Sequence, residues 1–252
     1  MIRASALVLF ALAGAARADD CLDLGLYGSV LQANTKSVPE LPGTRVDYAA
    51  LRISPQWAEV VKSLARCDPA KLTTREQKLA FWINAYNVLA IDLVATHWPV
   101  ESIVDIVSFL FPVWGKTAGQ IHGVGYTLDQ IENDMLRPLG DPRIHAAIVC
   151  ASRSCPSLAR EPYTAEKIDA ELDDAFTLFV ADPRKGFAVV RSSSKLRLSS
   201  IFKWFAEDFD KQGGALSMIS RHASVEDRRW LEGLRKTPLP IEYMDYDWGV
   251  NG

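Results

Sequence analysis

Apolar positions recur along this chain at two periods, and the helical one dominates. Over residues 22–34, Leu24, Tyr27 and Leu31, with Leu26 and Val30, fall on one side of a helix. A Pro/Gly loop (38–44) and a short extended piece (45–48) follow. Ser54-Pro55 reads as an N-cap with a first-turn proline and opens a helix to about residue 66. From 74 to about 96 the pattern changes. Phe81, Trp82, Ile83, Ala85, Val88, Leu89, Ile91, Leu93 and Val94 cover every face, behind a capping box read at Thr73-x-x-Glu76. A helix without a polar face belongs at the centre of a fold. Asn84, Asn87 and Asp92 interrupt it, and its apolar run is marginal for a bilayer, so it predicts a core helix and no membrane span.

Weaker signals complete the outline. Residues 101–108 read as a short helix, 109–114 as an aromatic loop and 115–125 as a glycine-punctuated turn or strand edge holding His122. Thr127-x-x-Gln130 opens a helix that carries Glu132 and stops at Pro138. The stretch 141–156, DPRIHAAIVCASRSCP, reads as a turn, a short strand at 146–149 and a cysteine loop. A helix over 164–181 follows, then a hairpin of 187–191 with 195–199 around three serines. Helices at about 200–209, 213–222 and 224–234 and an extended end at 241–248 close the chain. The expected class is α+β: one mainly helical domain around a central buried helix (about 74–96), with a small, mostly antiparallel β-sheet.

The first eighteen residues stand apart. Arg3, an apolar core over 6–13 and Ala16-Arg17-Ala18 fit a secretory signal peptide cleaved after Ala18. Cleavage would leave 234 residues as one domain and move the formal charge from −3 to −5, because Arg3 and Arg17 are lost. With no basic excess and no Lys/Arg run, nucleic-acid binding is not expected. Export places Cys21, Cys67, Cys150 and Cys155 in an oxidising periplasmic or secreted setting, where disulfides are the default. Four cysteines allow three pairings. Cys21–Cys67 with Cys150–Cys155 is favoured, since the second is local and the first joins two early helices.

Six separated segments, VDYAAL (46–51), AFWINAYNVLAI (80–91), YTLDQIENDMLR (126–137), DPRIHAAIVCASRSCPSL (141–158), LSSIFKWFAEDF (198–209) and IEYMDYDW (241–248), together resemble the domain of unknown function 547 family. The resemblance spans nearly all of the chain after the leader. It implies a bacterial, exported, single-domain member and no particular reaction. Relatives often carry a histidine where this chain has Asn133. In plant relatives the position of Cys155 is commonly serine and His145 has no counterpart, while Cys150 is kept.

The chemistry-bearing residues are Asn84, Glu132, His145, Cys150 and Cys155. One expectation is a binding or interaction module: a Cys150–Cys155 bridge staples the loop, His145 is a hydrogen-bonded core residue, and Asn84 and Asn87 clamp neighbouring backbone. The alternative is a thiol-dependent hydrolase or transferase. There Cys150 or Cys155 is the nucleophile, His145 the base, and Asn84 or Glu132 orients the imidazole in a papain-like arrangement. Placing His145 and Cys150 five apart on a regular strand turns them to opposite faces, which argues against their direct pairing and leaves Cys155 to fold back. A metal-dependent hydrolase built on Glu132, His145 and His122 lacks any paired-histidine spacing. A dithiol exchanger lacks the C-x-x-C motif. No cofactor is expected. The partner, whether small molecule, peptide or protein, and the oligomeric state are open.

Overall fold

The computed structural model describes residues 21–38, 43–106, 113–233 and 240–252. The expected signal peptide (residues 1–18) and most of the 109–114 aromatic loop lie outside them. At the centre runs α4 (Arg75–His97), in which every residue from Leu79 to Ile91 is buried. It is long and apolar enough to cross a membrane, but 89 % of its most apolar window is covered by the rest of the molecule. Its cap sits one residue later than the sequence suggests. Thr74 is the N-cap, and the Gln77 amide oxygen accepts from the backbone N–H groups of both Thr73 and Thr74.

Two helices, α1 (Leu24–Asn34) and α3 (Pro55–Arg66), stand on one side with the short α2 (Tyr48–Arg52). The Ser54 hydroxyl caps α3 as expected, and Cys21–Cys67 ties the start of α1 to the end of α3. Between α1 and α2 the short strands β1 (Thr35–Ser37) and β2 (Thr44–Val46) pair antiparallel. Tyr48, expected to be extended, is instead the first residue of α2 because Asp47 caps it. A second antiparallel pair, β3 (Thr117–Ile121) and β4 (Val124–Thr127), packs on α4 with exposed His122 in its turn.

A second apolar cluster forms around α6 (Ile168–Ala181), with Phe176, Phe179, Phe202 and Phe209 at its heart. Over it lie β5 (Phe187–Val190) and β6 (Lys195–Leu198), the expected hairpin, and β7 (Ile241–Tyr243), which joins β6 in parallel. Short helices α7 (Ile201–Trp204), α8 (Ala206–Asp210), α9 (Ala215–His222) and α10 (Val225–Gly233) complete this half. The fold is therefore the expected α+β domain with mostly antiparallel pairing. Among the described residues, its strands form three small sheets rather than one.

Two further expectations fail. Of the helix read at 101–108, the described part holds one 3-10 turn, Ile103–Asp105. The strand read at 146–149 does not form. Pro142–Ala146 is a 3-10 helix, and the backbone beyond it is irregular. A side chain stands where a partner strand would be. The Asn87 amide on α4 donates to Ala147 O (3.0 Å) and accepts from Val149 N (2.8 Å), so the segment's backbone is satisfied without a ladder.

Candidate functional site

The helix that follows β4 changes its winding as it approaches the centre of the molecule. After the capping box at Thr127 and Gln130, α5 (Leu128–Gln130) continues as a π-helix over Ile131–Leu136 and ends as a 3-10 turn over Arg137–Leu139. Wide turns of this kind recur at functional sites. This one carries Glu132 and Asn133, and Arg137 follows on the next turn.

His145 lies opposite, at the end of its 3-10 helix, 3 % exposed and stacked on Phe205 (ring centroids 3.9 Å apart). Its two ring nitrogens face two carboxylates. Nε2 is 3.0 Å from Asp208 Oδ2 on α8. Nδ1 is 3.3 Å from Glu132 Oε1, near enough for ion pairing but without hydrogen-bond alignment, so Nδ1 is a buried nitrogen with no hydrogen-bond partner. With the Nε2 proton directed at Asp208, the other nitrogen is left for Glu132 or for a ligand.

Asp208 is the hub of this cluster. His145, Arg137 (Nε at 2.6 Å) and Lys211 all bond its oxygens and together hold its carboxyl well below the ordinary carboxylate range, against the opposing pull of burial. The same contact raises the Arg137 guanidinium, whose Nη1 also donates to Asn133 Oδ1 at 2.8 Å. A charged Asp208 thus fixes both the imidazole and the π-turn.

The cysteines close the third side. Cys150 and Cys155 are bridged, as are Cys21 and Cys67. The loop between them turns through Ala151 at φ 62°, a left-handed backbone uncommon outside glycine. The C-terminal segment braces it. Asn251 N–H donates to Ala151 O, Arg153 N–H to Gly249 O and Ser154 N–H to Asp247 O. Tyr246 Oη sits 3.2 Å from Cys155 Sγ and 3.4 Å from Cys150 Sγ. Burial pushes that phenol up.

These pieces enclose a pocket of about 280 Å³. Glu132, His145, Cys150 and Cys155 all line it, with Asp129, Asn133, Ile148, Pro156 and Ile201. Six aromatic residues complete the wall: Tyr86, Trp114, Trp204, Phe205, Tyr246 and Trp248. Four of the five residues expected at a site are therefore brought together. Asn84 is not among them. Its amide is spent on one peptide unit, donating to Tyr163 O (2.7 Å) and accepting from Tyr163 N (3.0 Å), a backbone clamp like Asn87. The argument that His145 and Cys150 diverge across a strand lapses with the strand. His122 lies outside the pocket.

Sequence reasoning missed Asp208 and the role of Arg137, Trp204, Phe205, Tyr246 and Trp248. The aromatics were visible as residue types. Asp208 was not distinguishable from its neighbours Glu207 and Asp210. Among the described residues, no group of three or more His, Cys, Asp and Glu is arranged to hold a metal ion. Glu132 and Asp208 sit on opposite edges of the imidazole, so they cannot converge on one ion with it.

Fold and site together define an α+β domain with an acidic, aromatic-walled pocket bordered by a disulfide. Residues 69–180, which supply α4, Glu132, His145 and both pocket cysteines, match the model of the family described as "Protein of unknown function, DUF547". The match excludes 198–209 and 241–248, which supply Asp208 and most of the aromatic wall. No curated protein and no solved structure matches the chain. Its two disulfides are compatible with an extracellular or secreted protein.

Proposed function

We propose that this chain is an exported binding module whose pocket takes a small molecule, or a side chain of a peptide or protein partner. The observation that carries the reading is the buried Nδ1 of His145, without a hydrogen-bond partner in the wall of an aromatic-lined pocket whose two sulfurs are bonded to each other. Concave apolar sites with a few convergent polar groups are the usual form of a ligand site. The bridge withholds a thiolate from the resting protein and serves as a staple for the pocket wall. Residues 1–18 act as the signal peptide, cleavage falls after Ala18, and the remainder is a single periplasmic or secreted domain. Its formal charge offers no attraction for nucleic acid.

Intact-mass analysis of the exported protein, with a thiol-alkylating label before and after reduction, tests this reading. No label before reduction and four after is the expected result, on a chain beginning at Asp19. One fast-reacting thiol at Cys150 or Cys155 would overturn it.

A second reading, a thiol-dependent hydrolase or transferase active after reduction, is favoured by one specific feature. Cys155 Sγ accepts the Cys150 backbone N–H (3.0 Å) and faces the Tyr246 hydroxyl, donors that would stabilise a thiolate there. Labelling of the reduced protein that slows in His145→Ala would support it. Equal labelling in both proteins would dismiss it.

A further inference from the structure

We infer that the ligand of this pocket is a small organic cation, of the methylated or quaternary ammonium class; the inference rests on the binding reading above. Among the described residues, the pocket wall holds Glu132 and Asp129 but no lysine or arginine. The Arg137 guanidinium, 5.5 Å from the centroid of the wall ring Phe205, is committed to Asp208 and Asn133, and Lys211 is also turned to Asp208. An anionic ligand would therefore meet two carboxylates and no cation.

The aromatic wall adds the second half of the argument. Trp204, Tyr246 and Trp248 form one mutually packed cluster, with centroids 4.8 Å (Trp204–Tyr246), 4.4 Å (Tyr246–Trp248) and 5.7 Å (Trp204–Trp248) apart. Trp114 extends it from Trp248 at 5.8 Å. Ring faces are negative and ring edges positive, so a desolvated cation over several faces is attracted by each of them. Trp204 is 47 % exposed although it packs in this cluster, leaving an indole open at the pocket rim. Indole and phenol rings together with the wall carboxylates of Glu132 and Asp129 are the chemistry that recognises an ammonium whose hydrogens are replaced by methyl groups. Such a head group offers charge and apolar surface but demands no hydrogen bonds, and aromatic ring faces ask for none in return.

The test is calorimetric titration of the disulfide-intact protein with choline chloride and with 3,3-dimethylbutan-1-ol, its uncharged isostere. Saturable choline binding, with the isostere at least about tenfold weaker, is expected. Trp204→Ala and Glu132→Gln should each weaken choline by roughly three- to tenfold. Trp204 is exposed, so its loss should leave the fold intact even if Glu132→Gln does not. Isostere binding equal to choline would overturn the cation assignment and leave the binding reading standing. So would failure of choline alongside saturable binding, lost in Trp204→Ala, of a neutral or anionic member of a fragment panel. If neither choline nor any panel member binds, both readings fall.

Discussion

Replacing Asn87 by alanine tests how the pocket wall is built. The Asn87 side chain is 2 % exposed and serves two backbone groups on the approach to Cys150, Ala147 O and Val149 N. Removing it costs two hydrogen bonds and leaves a buried carbonyl and a buried N–H without partners. Leaving such a group unsatisfied costs about 1–3 kcal/mol, so the pair should destabilise the protein by about 2–4 kcal/mol after partial relaxation. For a chain of this size that is a fall in Tm of about 5–15 °C. Urea unfolding at neutral pH without reductant measures it. Asn84→Ala is the matched control, since it removes an equivalent pair of bonds at Tyr163 and should cost a similar amount. The two variants should differ in one respect. Asn87→Ala frees the backbone leading into the Cys150–Cys155 bridge and should speed its reduction by dithiothreitol, while Asn84→Ala should leave that rate near wild type. A destabilisation below about 1 kcal/mol, or equal reduction rates, would refute the claim that the amide replaces a missing strand partner.

Three other perturbations follow from the same geometry. Asp208→Asn removes the charge that Arg137 and His145 share and should cost about 3–5 kcal/mol, as expected when one member of a buried pair is lost. Because the Asp208 carboxyl is depressed in the folded state, its contribution is present above the ordinary carboxylate pKa and is lost as pH falls below it, so the variant's acid-unfolding limb should be flatter than wild type. Lys185, 4 % exposed with its Nζ donating to Cys155 O at 2.7 Å, is lowered by burial to about 8 from the model-peptide value. The folded state then holds fewer protons than the unfolded one from about pH 8 upward, so wild-type stability relative to Lys185→Met should rise by up to about 3 kcal/mol between pH 7.5 and 10.5. A pH-independent difference between the two would contradict that. Replacing Cys21 and Cys67 by serine opens a 46-residue separation and should lower stability by roughly 3–4 kcal/mol in chemical denaturation.

Parts of this molecule were legible because their causes are local. The burial of α4 follows from its lack of a polar face, and the start of α3 from a serine and a proline next to each other. The start of the 128–139 helix follows from Thr127 and Gln130. The hairpin of β5 and β6 follows from alternation around a serine turn. The cap of α4 slipped by one residue because Thr73–Glu76 and Thr74–Gln77 both fit the capping-box spacing, and the fold uses the second. The 146–149 stretch was misread because four apolar residues in a row look alike whether a strand or a distant amide satisfies their backbone. The site was half legible. Glu132, His145, Cys150 and Cys155 stood out as scarce, reactive residue types, and they do line one pocket. Asp208 sits among other acidic residues on a short helix, and nothing in its neighbourhood distinguishes it until α8 is folded against His145.

The sequence by itself determined the helical α+β class, the burial of α4 and which residues could carry chemistry, and it favoured one of three cysteine pairings. Those follow from composition and short-range spacing, where each residue's neighbours are known. Only the tertiary structure decided that the imidazole lies between two carboxylates and that the Cys150–Cys155 bridge borders the same pocket. It alone put an aromatic wall from the C-terminal segment across from them. The Asp208–His145 and Tyr246–Cys155 contacts join residues 63 and 91 apart in the chain, and Glu132 reaches His145 from a separate helix. Burial selects such contacts through the packing of the two apolar cores, and no local pattern encodes them.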